Sequence, residues 1–303
     1  MRTGIFILAV AALAACESAP KQMPAPRPVE NARAAYELAV GAFDAGRYRD
    51  AIAGFNGAAQ RFQSVDDLHG VATSAISRAE TQLLLGENAA AAASLEQARN
   101  AIRSSENESL RERTRLLAAR LAMPGDAATA RRLLDRLSGS ASQPVAAQAL
   151  LLLCELDMRR GETGCASNLA ADNEQTAARI AHLQARAAMM RGERETAKTL
   201  LEHALAIHRA RAFRPGIAAI HETRAELAML SGDREAAREH LERALYLRLW
   251  IRDRVHSAEI ATQLAGLSGD ETRERYQRWR DTLLNDSSEP EWQEMTETLF
   301  NSR

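Results

Sequence analysis

Aromatic side chains are scarce, at 4% of the chain, and between Phe62 and Phe213 there are none. That stretch lacks the stacking platforms expected of a sugar, base or flavin site. An excess of one charge is also missing. The formal net charge is -1, so nothing in the balance draws the chain to a polyanion. The seven histidines form no His-Glu-x-x-His zinc motif: His203 and His208 are five apart, and His221 has no second histidine four residues on. They read as surface or groove residues. Gly161-Glu-Thr-Gly164 lacks the rest of a phosphate-loop fingerprint and a preceding strand, and no serine sits in a nucleophile-elbow pattern. These absences argue against an enzyme and imply no catalytic residue, cofactor or metal.

The N-terminal apolar run, Gly4 to Ala15, is too short to span a bilayer and fits the core of a signal peptide. It ends Leu13-Ala14-Ala15-Cys16, which resembles a bacterial lipobox at all four positions. The resemblance implies cleavage before Cys16, a diacylglyceryl thioether on its sulfur and an acyl chain such as palmitate on its amine. Several chains together anchor stably where one does not. Glu17 departs from the Asp of inner-membrane retention, so the sorting rule implies lipid anchoring at the outer membrane, facing the periplasm. Four of the eight prolines, Pro20, Pro24, Pro26 and Pro28, crowd the next residues. Residues 1–15 therefore read as a signal peptide and 16–30 as a lipidated cysteine with an extended tether reaching roughly 40 Å.

What is abundant is alanine and leucine at a fixed rhythm. Gly46, Gly86, Gly125, Gly161, Gly192, Gly232 and Gly269 are spaced 40, 39, 36, 31, 40 and 37 apart. Seven residues before each of the first six lie Ala39, Ala79, Ala118, Cys154, Ala185 and Ala225; five after lie Ala51, Ala91, Ala130, Ala166, Ala197 and Ala237. Paired helices that touch closely require small side chains at such points. A larger apolar residue follows nine after the glycine: Phe55, Leu95, Leu134, Leu201 and Leu241, with Ala170 in the fourth unit.

This pattern resembles the tetratricopeptide repeat. The first hairpin carries the likeness best, with Leu38, Ala39, Gly46, Tyr48, Ala51, Phe55 and Ala58. The family implies an all-α, right-handed superhelical array of antiparallel helix pairs, an α-solenoid. About six such hairpins are expected over residues 31–256. A degenerate repeat, a C-terminal cap and an acidic tail follow over 257–303.

The fourth unit is short and its second helix poor. Cys154 and Cys165 fall on either side of its turn and would face an oxidising compartment. Two arrangements fit them: a disulfide fastening the pair, or two buried small residues. Two also fit Tyr246, Arg248, Trp250 and Arg252. They either pack against the C-terminal cap with their arginine heads in water, or form a patch for an acidic peptide or protein partner. The tetratricopeptide resemblance implies an outer-membrane-anchored periplasmic adaptor mediating protein–protein interactions in envelope assembly or a cell-wall process. The alternative is a module binding a small ligand or glycan fragment and regulating peptidoglycan enzymes.

Overall fold

The computed structural model describes residues 27–103, 107–285 and 289–301. The lipobox, Cys16 and most of the tether lie outside the described residues. Helix α1 (Arg27–Asp44) starts before the expected end of the tether, with Pro28 in its first turn. Proline suits that position because its missing N–H has no partner there in any helix.

The chain is an all-α solenoid of stacked antiparallel pairs, as the alanine–glycine period predicts. α1 pairs with α2 (Tyr48–Gln63), and α3 (Leu68–Leu84) with α4 (Asn88–Ala101). α5 (Glu108–Ala122) pairs with α6 (Ala127–Leu137). α7 (Gln143–Met158) is followed only by a 3-10 turn at Gly164–Asn168. α8 (Glu174–Met190) pairs with α9 (Arg194–Ala210), and α10 (Arg214–Leu230) with α11 (Arg234–Trp250). The region expected to be degenerate is a seventh pair, α12 (Arg254–Leu267) and α13 (Asp270–Leu284). Its turn is built differently: Gly269 precedes α13 at φ -71, whereas Gly232 in the preceding pair has φ 78. α14 (Glu289–Asn301) folds back with Trp292, Met295 and Leu299 buried in the same core as α11 to α13.

Of the twelve small-register residues, only Ala118 is not fully buried. The contact is tight. A Cβ added to Gly54 on α2 would come within 2.8 Å of the Ala39 Cβ on α1. First helices also touch their successors, α1 to α3, α3 to α5, α5 to α7 and α8 to α10, and so make the inner layer.

The missing second helix of unit four is replaced by covalent and polar ties. Cys154 and Cys165 form a disulfide with Cα atoms 5.4 Å apart. Gln184 on α8 donates to the Ala166 carbonyl at 3.0 Å, joining the turn to the next unit. A bridge across so short a loop restricts the unfolded chain by up to about 3 kcal/mol. Replacing both cysteines with alanine is expected to lower unfolding free energy by about that amount, with α7 and α8 exchanging amide hydrogen faster than α1 to α4. Urea melts with hydrogen-exchange mass spectrometry measure both.

The array curls until its two ends meet. Tyr48, Leu85 and Ile251 share one buried cluster, with Phe43, Ile52 and Leu84 against it. The glycine-turn edge of units one and two thereby rests on the opposite edge of units six and seven. Gly86 permits the approach: it has φ 70, and a Cβ there would lie 3.1 Å from both Val255 and His256. Arg49 spans the joint, pairing with Glu87 and donating to the Arg252 carbonyl at 3.0 Å. Burial pushes the Tyr48 phenol up to about 12, against the opposing pull of Arg214 and Arg248 from the far end of the chain.

Candidate functional site

The structure divides the four residues of the expected partner patch, and they do not form one open surface. Arg248 is 5% exposed. Its guanidinium meets Glu222 at 2.9 Å and Asp253 at 2.9 Å, and Asp253 is itself fully buried. Asp253 also caps α12 through the His256 amide and accepts from the His256 ring at 2.8 Å. Tyr246 faces Phe300 of α14 at 6.3 Å, and the Arg252 guanidinium lies over Trp292 at 5.3 Å. Trp250 keeps 45% of its surface, but the Arg214 guanidinium sits 3.8 Å above its ring. These side chains hold the α11–α12 corner, the C-terminal helix and the joint. The physical reason is closure: the end of α11 is an interior position once the first two units dock on it.

Two of the seven histidines depart from the surface-or-groove reading, while His69 and His203 are exposed. His208 and His221 are buried. His182 shares a 2.7 Å hydrogen bond with Thr223, and the rings of His221 and His240 approach to 3.3 Å between Nδ1 atoms. Burial, with Arg186 and His208 adding, pulls His182 down to about 4; burial, with His240 and Arg224 adding, pulls His221 down to about 3. The cationic neighbours make this pair a poor seat for a metal ion. Among the described residues, no group of three or more His, Cys, Asp or Glu is placed to hold one. Nor is any described helix long and apolar enough to cross a membrane.

The surface that is open lies elsewhere. A cleft of about 940 Å³ runs across the C-terminal ends of α8, α10 and α12. Contact between successive inner helices continues from α8 to α10 and thins between α10 and α12, so the cleft opens there. Its wall is flexible and apolar: Met189, Met190, Met229, Leu230 and Leu267. Met190 is 50% exposed and Leu230 56%. Arg186, Glu226 and Arg234 stand among them. Burial pushes the Glu226 carboxyl above its ordinary value, with Arg186 opposing and Glu222 adding. Arg234 is steadied by donating to the Gly266 carbonyl at 3.2 Å, as Arg194 one unit earlier donates to Leu230 at 2.8 Å. The sequence carries a trace of this wall. The two residues ahead of the turn dipeptide are Met189-Met190 in unit five and Met229-Leu230 in unit six, apolar pairs at matching positions of successive units.

No known protein family description matches the chain, and no curated protein does. Three solved structures are similar to it at low identity. A tetratricopeptide repeat protein from Parabacteroides merdae ATCC 43184 is 14% identical, over 86% of this chain and 100% of that one, with a TM-score of 0.41. BtubC from P. vanneervenii is 15% identical over 86% and 92%, with a TM-score of 0.34. The TPR domain of P58(IPK) is 16% identical over 89% and 98%, with a TM-score of 0.23. The solenoid itself rests on this chain's own helix pairs.

Proposed function

We propose that this chain is a lipid-anchored periplasmic adaptor that holds a segment of a partner protein in the methionine-lined cleft. The observation that carries the reading is the row of exposed Met190, Met229 and Leu230 on the inner ends of α8 and α10. Contiguous apolar surface of this kind marks interaction sites, and methionine adapts its shape to what it meets. The occupant is a segment with large apolar side chains and a carboxylate, because Arg186 and Arg234 flank the apolar wall and only Glu226 answers them. The lipobox supports anchoring at Cys16, and Glu17 supports the outer membrane. An envelope assembly or a cell-wall process is the setting that location suggests.

Two measurements test this reading. Metabolic labelling with palmitate is expected to mark the chain and to be lost in Cys16→Ser, which would also leave the membrane fraction; unchanged labelling would end the anchoring claim. A photo-crosslinker at Met229 is expected to give a discrete adduct with an envelope protein. That adduct should fall at least tenfold in Met190→Glu and stay unchanged in Trp250→Ala. Equal adducts in Met190→Glu would remove the cleft from the proposal.

A further inference from the structure

Closure of the array leaves a second, smaller space inside it. About 260 Å³ lies between the inner helices of units one to three and the starts of α8 and α10. Its lining mixes two chemistries. Phe43, Leu84, Leu116 and Phe213 give an apolar wall. Arg120 and Glu80 stand one turn from Leu116 and Leu84 on the same helices, Gln148 lines it from α7, and Gln175 and Arg179 line it from the amino end of the 17-residue α8. Backbone N–H groups at a helix start favour an anion.

Arg120 is the unexplained part. It is half-buried on the wall of this space, and its guanidinium makes no hydrogen bond or ion pair among the described residues. The carboxylates near it are already engaged. Glu80 accepts from Arg113 with both oxygens at 3.1 Å, and Glu155 pairs with Arg179 at 3.8 Å. Burial pulls Arg120 below the ordinary guanidinium value, Arg179 adds to this, and Glu155 and Glu80 oppose it. A half-buried guanidinium with no protein partner is free to meet the carboxylate of an occupant of the space.

We propose that this space binds a small organic monocarboxylate, its apolar body on Phe43, Leu84 and Leu116 and its carboxylate on Arg120. Size limits the occupant: the space is smaller than the clefts that hold drug-sized ligands, about 300–1,000 Å³. The site is separate from the cleft on α8, α10 and α12 and does not rest on the adaptor reading.

The test is a calorimetric titration of the full chain with phenylacetate and, in parallel, with its neutral isostere phenylacetamide. One saturable site for phenylacetate is expected, with the amide at least tenfold weaker. Arg120→Met is expected to lose phenylacetate binding at least tenfold. Equal binding of acid and amide overturns the proposal, and so does retained affinity in Arg120→Met or no phenylacetate binding below about 10 mM. Displacement of phenylacetate by inorganic phosphate at equal concentration would show a plain anion site and overturn the organic body. The acid–amide comparison needs no variant, so the outcome stands even where Arg120→Met fails to fold.

Discussion

Arg248→Met is expected to lower unfolding free energy by about 3–5 kcal/mol, the largest effect of a single substitution anticipated in this chain. The size follows from what the guanidinium leaves behind. Asp253 is fully buried, and its carboxylate is held by Arg248 at 2.9 Å, the His256 ring at 2.8 Å and the His256 amide at 3.2 Å. Removing Arg248 leaves that buried charge without its strongest partner, while half-buried Glu222 can turn to water. Met keeps most of the stem's packing, so the loss reports charge rather than volume. A double substitution separates the two: Arg248→Met with Asp253→Asn is expected to recover a large part of the loss, because no buried charge then remains. Chemical denaturation of the four proteins completes the cycle. Equal losses in the single and double variants would mean that packing, not charge, holds the corner.

The same corner shows what a sequence can and cannot convey here. The small-residue registers are local, each alanine seven before or five after its own turn glycine, so helix pairing is legible from spacing alone. The joint is not. Tyr48 meets Ile251, and Gly86 meets Val255 and His256, across most of the chain's length. No repeat period encodes a contact between the first unit and the sixth. The uneven aromatics were the visible sign. Tyr48 and Phe43 near one end, and Phe213 and Trp250 near the other, are large side chains placed where the inner layer of one half faces the other half. Arg252 lies over Trp292 of α14, the packing against the C-terminal cap that the sequence allowed, whereas Arg248 does not keep its head in water, because buried Asp253 five residues on holds it inside. The cleft on α8, α10 and α12 was missed because methionines ahead of a turn resemble ordinary core.

Acidification is expected to unfold the chain through its C-terminal half, well above the pH at which carboxylates alone would act. His182 and His221 are neutral in the fold, at about 4 and about 3, against about 6.5 when unfolded. The unfolded chain therefore binds more protons below pH 6.5, and stability falls as pH falls. The loss begins near 6.5 and is complete only below the folded values, amounting to about 3 kcal/mol for His182 and about 5 kcal/mol for His221. His208 and His240 are also lowered by burial and act in the same direction. His256 acts in the opposite one. Burial opposes its charge, but the hydrogen bonds and negative charge of Asp253 outweigh that and raise it above its ordinary value. Its contribution is present below about 6.5 and disappears as pH rises through the raised value. Stability should therefore peak near neutrality, decline gently above it and steeply below it. Thermal melts from pH 8 to pH 4 measure the profile. His221→Leu is expected to flatten the acid limb while leaving the alkaline limb in place. His256→Gln is expected to remove the alkaline decline and leave the acid limb. A His221→Leu profile as steep as the parent's would show that the buried imidazoles are not what makes this solenoid acid-labile.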